Sequence, residues 1–251
     1  MRPPRARWFE FNDHPSTPRF LREGETDALR GLEAFAGVPP VVRVVLERVL
    51  GQLDTDDVVD LCSGGTGPLL HALPETANAV TCTDLFPSER AERLVQRHRP
   101  GASYRRDSVD ATRVPSDLPG LRTVINALHH FDDDLAHAVL DDAARAGQPI
   151  LVVELLQRRW TDLGLMFLVP LGVVLTLPFS RPSLSAVLAT YVVPVLPLMV
   201  GFDGVVSCLR ARTEAELLAL TDGLSQHAWT AGTERARMVE VTWMLGVPRV
   251  D

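Results

Sequence analysis

The chain has 251 residues, 46% of them hydrophobic and 23% charged, and carries a formal net charge of −7. That is length for one large α/β domain or for a domain with an inserted cap, and the acidic balance speaks against a nucleic-acid partner. Its three cysteines, Cys62, Cys82 and Cys208, show no CxxC or Cys/His spacing, so neither a disulfide framework nor a metal site is expected.

The first twenty residues lack the apolar core of a signal peptide, and a cytoplasmic setting is the expectation. Arg2, Arg5 and Arg7 stand among prolines and read as a solvated terminus. Gly24 to Ala36 and Pro40 to Leu53 read as two helices. Together they form an N-terminal helical cap over residues 1–53, packed on a sheet or covering a cleft.

From Asp57 onward, short apolar runs alternate with amphipathic segments. Val58–Cys62 reads as a buried strand and Pro68–Leu73 as the start of a helix. Ala79–Thr83 is a second strand, followed by a polar helix from Ser88 to about His98. A third strand falls near Ser103-Tyr104 and a fourth at Thr123–Ala127. The next helix is expected to bury Leu135, Val139, Leu140 and Ala143, with Asp132 and Asp133 at its N-terminus. Ile150–Glu154 is the fifth strand. Runs that are apolar throughout and alternate with helices indicate a parallel sheet covered on both faces.

Residues 163–202 break this pattern. Arg181 is the only charged residue between Asp162 and Asp203, and five prolines interrupt the run. Three readings stand: an apolar helical insert over 157–203 that lines a substrate pocket, a peripheral membrane or homodimer contact, and membrane insertion. The insert reading is preferred because the prolines and the short first stretch oppose a span. After it, Thr213-Glu214-Ala215-Glu216 opens a helix with the apolar face Leu217, Leu218 and Leu220. Two late strands, around His227–Thr230 and from Met238 to Leu245, are close enough to pair antiparallel.

The chemistry concentrates at the ends of the strands. Asp60-Leu61-Cys62-Ser63-Gly64-Gly65-Thr66-Gly67 joins a buried strand to a helix through a glycine-rich turn, where a missing Cβ lets the backbone turn tightly and a ligand approach. Asp60 either anchors that loop or accepts from a ligand's ammonium group. Asp84, 24 residues on, ends the second strand, where a carboxylate accepts both hydroxyls of a ribose; its alternative is a helix N-cap before Pro87-Ser88. Asn126-Ala127-Leu128-His129-His130 ends the fourth strand and Glu154 the fifth. His129 or His130 is a candidate base, because imidazole titrates near neutrality; each also reads as a structural histidine. Glu154 is a further acid/base candidate or a solvated, capping carboxylate.

The glycine loop with Asp84 resembles the first signatures of class I S-adenosylmethionine-dependent methyltransferases. It differs in carrying Cys62 where a glycine is common and in a loop one residue longer. Trp8-Phe9-Glu10-Phe11, Phe20-Leu21-Arg22 and Asp203–Arg210 look like a bacterial subgroup of that superfamily whose substrate is unassigned, so the resemblance extends over nearly the whole chain. It implies a single Rossmann-like, doubly wound α/β domain over 1–251, with a seven-stranded, mostly parallel sheet ending in an antiparallel hairpin. It implies S-adenosylmethionine as cofactor, held by Asp60 to Gly65, Gly67, Asp84 and Leu85. In the family, the segment after the third strand gives an acidic residue and an adjacent backbone N–H to the adenine; Asp110 and Ala111 fit, with Asp107 competing and an ordinary Asx turn as the alternative. Asn126 and Ala127 then face the sulfonium.

The expected activity is methyl transfer to a small, apolar acceptor, with Trp8, Phe9 and Phe11 as candidates for covering the cleft. Two alternatives stand beside it. One uses the same cofactor for intramolecular cyclisation or aminocarboxypropyl transfer. The other is a non-catalytic, membrane-associated binding module.

Overall fold

The computed structural model describes residues 2–14, 16–64, 69–236 and 239–249. They gather into two compact units, Pro39–Leu155 with Thr213–Asp251, and Met1–Val38 with Leu156–Arg212.

The first unit is built on seven strands: β1 (Val58–Leu61), β2 (Val80–Cys82), β3 (Ala102–Tyr104), β4 (Leu121–Ile125), β5 (Ile150–Glu154), β6 (His227–Ala236) and β7 (Val239–Pro248). Their order is β3-β2-β1-β4-β5-β7-β6. Neighbours among β1 to β5 pair parallel, while β7 runs antiparallel to both β5 and β6. The seven-stranded, mostly parallel sheet read from the sequence is present, and the hairpin strands extend further than expected. Every residue of β1, β4 and β5 is buried, which is why these runs carry no polar alternation. β6 alternates instead, as an edge strand with one wet face does.

Helices α2 (Val38–Leu50), α3 (Leu69–Ala72), α4 (Glu89–His98), α5 (Asp133–Arg145) and α10 (Glu214–Ala219) accompany this sheet. Ser88 caps α4 through its hydroxyl, Asp132 caps α5 through its carboxylate, and Thr213 with Glu216 forms a reciprocal capping box on α10. Val139, Leu140 and Ala143 of α5 join the main core beside Val59, Leu61, Val124 and Val152. Leu135 does not: it is exposed, and Ala136 takes the buried position one residue on. The fourth strand also begins and ends two residues earlier than its apolar run suggested, because Asn126 leaves it with φ 54°.

The second unit is helical: α1 (Arg19–Ala36), α6 (Trp160–Met166), α7 (Val169–Thr176), a 3-10 turn (Leu177–Ser180), α8 (Leu184–Tyr191) and α9 (Val195–Arg210). α1 packs on α7, α8 and α9 around a small core that includes Ala28, Val173, Leu177 and Leu196. Within residues 1–53 the boundary between the two units falls at Val38, so α1 groups with the insert and α2 with the sheet.

Two of the three stretches that pointed to a bacterial subgroup meet inside this unit. Asp203 accepts from the backbone N–H groups of Phe11 and Asn12 at 2.9 and 3.0 Å, and Ser207 donates to Glu10 at 2.8 Å. Arg210 donates to the Trp8 carbonyl, and the rings of Phe9, Phe11 and Phe202 cluster with centroids 5.1 to 5.6 Å apart.

Candidate functional site

The carboxyl ends of β1, β2, β4 and β5 carry the residues singled out in the sequence. Asp60 is buried near the end of β1. One carboxylate oxygen accepts from the Ser63 hydroxyl at 2.6 Å and the other from Thr123 at 2.8 Å. Its backbone carbonyl takes both the N–H and the hydroxyl of Thr83, at 2.8 and 2.9 Å. Of the two roles open to Asp60, this geometry fits loop anchoring: a strand-end carboxylate that ties the turn to β4 and the backbone to the end of β2.

Burial is the main influence on Asp60. It pushes the pKa from the ordinary 3.8 up to about 6, against the two hydroxyl bonds that favour the charged form, and the charge on Asp84 adds to the rise. A raised carboxyl pKa means the folded chain prefers the neutral acid. Its contribution to stability is therefore complete below 3.8 and lost as pH climbs through about 6. The loss is about 3 kcal/mol at 1.36 kcal/mol per pKa unit. Urea denaturation near pH 4 and near pH 7 is expected to show that loss in the parent and not in Asp60→Asn. Parallel pH dependences in the two proteins would contradict it.

Beyond β1 the chain turns through Cys62, which holds φ 58°, and Gly64, with φ 53°. The left-handed backbone at Cys62 explains why glycine is common there in the resembled family: a side chain costs about 1–2 kcal/mol in this region. At Gly64 a Cβ would meet no atom of the described residues within 4 Å. Gly65 and Gly67 lie outside the described residues.

Asp84 follows β2 and is half-buried. Its Oδ2 accepts from the Gly64 N–H at 2.7 Å and its Oδ1 from the Phe86 N–H at 2.8 Å. The helix-cap reading fails because Ser88 occupies that position. Leu85 and Phe86 beside it are exposed. The segment 107–112 is fastened to the same strand end, with Val109 N–H on the Asp84 carbonyl at 3.0 Å and the Ser108 hydroxyl on the Leu85 carbonyl at 2.7 Å. Asp110 closes an Asx turn on the N–H and hydroxyl of Thr112, both at 2.8 Å, while Ala111 is buried in the core. Asp107 instead faces Arg105, at 3.7 Å. Burial pushes the Cys62 thiol up to about 12, and the charges of Asp84, Asp60 and Asp110 add to the rise. Three of the predicted carboxylates thus converge on one loop residue.

At β4, the Asn126 N–H donates to the Val153 carbonyl at 2.7 Å, and its side-chain oxygen accepts from the Leu155 N–H at 3.4 Å. Ala127 opens a 3-10 turn, Leu128–His130. There the buried His129 meets the buried Glu154 twice: the backbone N–H donates to Oε1 at 3.1 Å and ring Nδ1 lies 2.6 Å from Oε2. Glu154 is therefore neither solvated nor an independent base; both its oxygens hold His129. His130 is exposed, with its ring tilted over that of His129 at 4.2 Å.

Thr83, Thr123 and Ser108 were not singled out in the sequence. Thr123 owes its place to the parallel register of β1 and β4, in which it stands opposite Asp60.

No family model matches the chain, and no curated protein matches it. Solved structures do. The plantazolicin methyltransferase BpumL in complex with SAH is similar over 95% of this chain and 93% of its own, with a TM-score of 0.56 and 12% identity. The methyltransferase domain of bacterial CtHen1-C is similar over 84% of this chain and 98% of its own, with a TM-score of 0.52 and 13% identity. The chain has the class I methyltransferase fold. In such a methyltransferase fold, the strand ends that gather Asp60, Asp84, Asp110 and Asn126 are where an open α/β sheet binds its ligand.

Proposed function

We propose that the protein transfers the methyl group of S-adenosylmethionine to a small, largely apolar acceptor in the cytoplasm. The observation that carries this reading is the Asp84 carboxylate, held at the mouth of the glycine turn by Gly64 and Phe86. Each of its oxygens takes one backbone N–H and keeps a further acceptor position for a ribose hydroxyl. Exposed Leu85 offers an apolar surface to the adenine, and Gly64, lacking a Cβ, lets the adenosyl group approach the backbone. BpumL, similar over nearly its whole length, was solved with SAH, the product expected of that cofactor. When bound, S-adenosylmethionine supplies an electrophilic methyl group.

The chain's own part is to bind, orient and take a proton. Asp60 fixes the turn through Ser63 and Thr123. His129, its Nδ1–H directed into Glu154, is left with Nε2 as acceptor for the proton of a hydroxyl nucleophile. An apolar acceptor is favoured because residues 163–202 contain a single charge, Arg181. The cytoplasmic assignment draws support from three cysteines that are all free thiols.

Two measurements test the proposal. Titration calorimetry of the full chain with S-adenosylmethionine is expected to show one saturable site; no binding removes the proposal and leaves the non-catalytic module. Incubation with small apolar alcohols, phenols and acids is expected to release S-adenosylhomocysteine. Release of methylthioadenosine instead assigns the chain to intramolecular cyclisation or aminocarboxypropyl transfer.

A further inference from the structure

The helical unit turns an unusual surface to solvent. Along α6 to the 3-10 turn, Phe167, Leu171, Leu175 and Phe179 follow one another at intervals of four residues and are between 58% and 85% exposed. Leu171 and Leu175 lie one turn apart on α7, with Phe167 in the break before it and Phe179 in the 3-10 turn after it. Leu184 and Leu188 continue the exposed series on α8, and the five residues from Tyr191 to Val195, at the junction of α8 and α9, are exposed without interruption. Soluble monomers rarely expose contiguous apolar surface on this scale.

What covers such a face is decided by its chemistry. A protein partner needs hydrogen bonds at its core and a polar rim, on the order of ten bonds for an ordinary interface. This face offers almost none. Its one phenol, Tyr191, already donates to the Val174 carbonyl at 2.6 Å. Its one charge between Asp162 and Asp203 is Arg181, exposed at the turn between the two helix pairs, with φ 56°. A cation beside a dry hydrocarbon surface, with Trp160 at the start of the segment, is the arrangement of a bilayer interface: apolar side chains among acyl chains, arginine at the phosphates. The helices are also broken for crossing. Among the described residues no single helix is long and apolar enough to span a membrane, and the two apolar pairs bend by 48° and 85° at their junctions.

We propose that the helical unit docks on a phospholipid bilayer as a monotopic surface element, with the Phe167–Phe179 row and the Tyr191–Val195 tip immersed in one leaflet and Arg181 at the headgroups. The inference does not rest on methyl transfer. Vesicle binding tests it without reference to activity.

Full-length protein prepared without detergent is mixed with phosphatidylcholine vesicles, alone or containing phosphatidylglycerol, and floated through a density gradient. The parent is expected to float with both. Phe179→Asp and Val193→Asp, at exposed positions that leave the fold intact, are each expected to lower the partition coefficient about 30-fold or more. Arg181→Ala is expected to lower it about fivefold on phosphatidylglycerol vesicles and to leave phosphatidylcholine binding unchanged. Failure of the parent to float overturns the proposal, as does equal flotation of the aspartate variants. A parent dimer in light scattering that vesicles do not dissociate, and that Phe179→Asp converts to monomer, overturns it in favour of self-association.

Discussion

Asp84→Ala is expected to weaken S-adenosylmethionine binding by about 100-fold or more while costing little folding stability. A hydrogen bond to a charged group contributes about 1.5–3 kcal/mol, so losing both ribose contacts removes about 3 kcal/mol or more, and each 1.4 kcal/mol is tenfold in Kd. The stability cost is small because Asp84 is half-buried and its protein partners are two backbone N–H groups in a turn that water can reach. Ser88→Ala provides the contrast four residues away. Ser88 caps α4, so its loss is expected to cost about 1 kcal/mol of stability and nothing in binding. Calorimetry and thermal melts on both variants separate the two effects. If Asp84→Ala binds as the parent does, the strand-end carboxylate is a loop fastener only, and the cofactor assignment falls with it.

The sheet was legible in the sequence because its strands are buried on both faces. β1, β4 and β5 have no polar side to obscure the pattern, and β5 falls at the residues its apolar run marked out. Boundaries were less legible where backbone conformation, not hydropathy, ends a strand. Asn126 looks like a strand residue in sequence, and only its positive φ shows that β4 has finished. The site was readable as a set of strand-end carboxylates and histidines but not as a set of partners. That Asp60 is shared by Ser63 and Thr123 depends on the β1–β4 register, and that Glu154 serves His129 depends on β4 and β5 lying side by side. The grouping of α1 with the insert was hidden for another reason. It depends on packing between segments well over a hundred residues apart, such as Glu10 with Ser207, and no local periodicity encodes that. Leu135 shows the same limit on a small scale: the apolar spacing placed it inward, and on α5 Ala136 takes the buried position instead.

The His129–Glu154 pair carries the second large effect. Glu154 Oε1 already accepts the backbone N–H of His129, which leaves Oε2 to take the ring Nδ1–H. With Nδ1 protonated in this way, the free lone pair sits on Nε2, where a base must have it. In Glu154→Gln the amide oxygen is expected to keep the backbone N–H, so the amide nitrogen turns to Nδ1. It can only donate, which moves the ring proton to Nε2 and leaves no acceptor there. The isosteric change is thus expected to lower kcat by about 100-fold or more, as loss of a general base does. The dissociation constant for S-adenosylmethionine stays within a factor of about two, well under the tenfold that 1.4 kcal/mol represents. His129→Ala is expected to give a similar loss, and the double variant no more than either alone, because the two side chains act as one unit. A pair that served packing only would behave differently. Both single variants would then lower the melting temperature, since leaving a buried hydrogen-bonding group without its partner costs about 1–3 kcal/mol, while kcat in the remaining folded protein would match the parent. Measuring turnover well below the melting transition distinguishes the two. The outcome also reports on the acceptor: only a nucleophile that must shed a proton makes the rate depend on this imidazole.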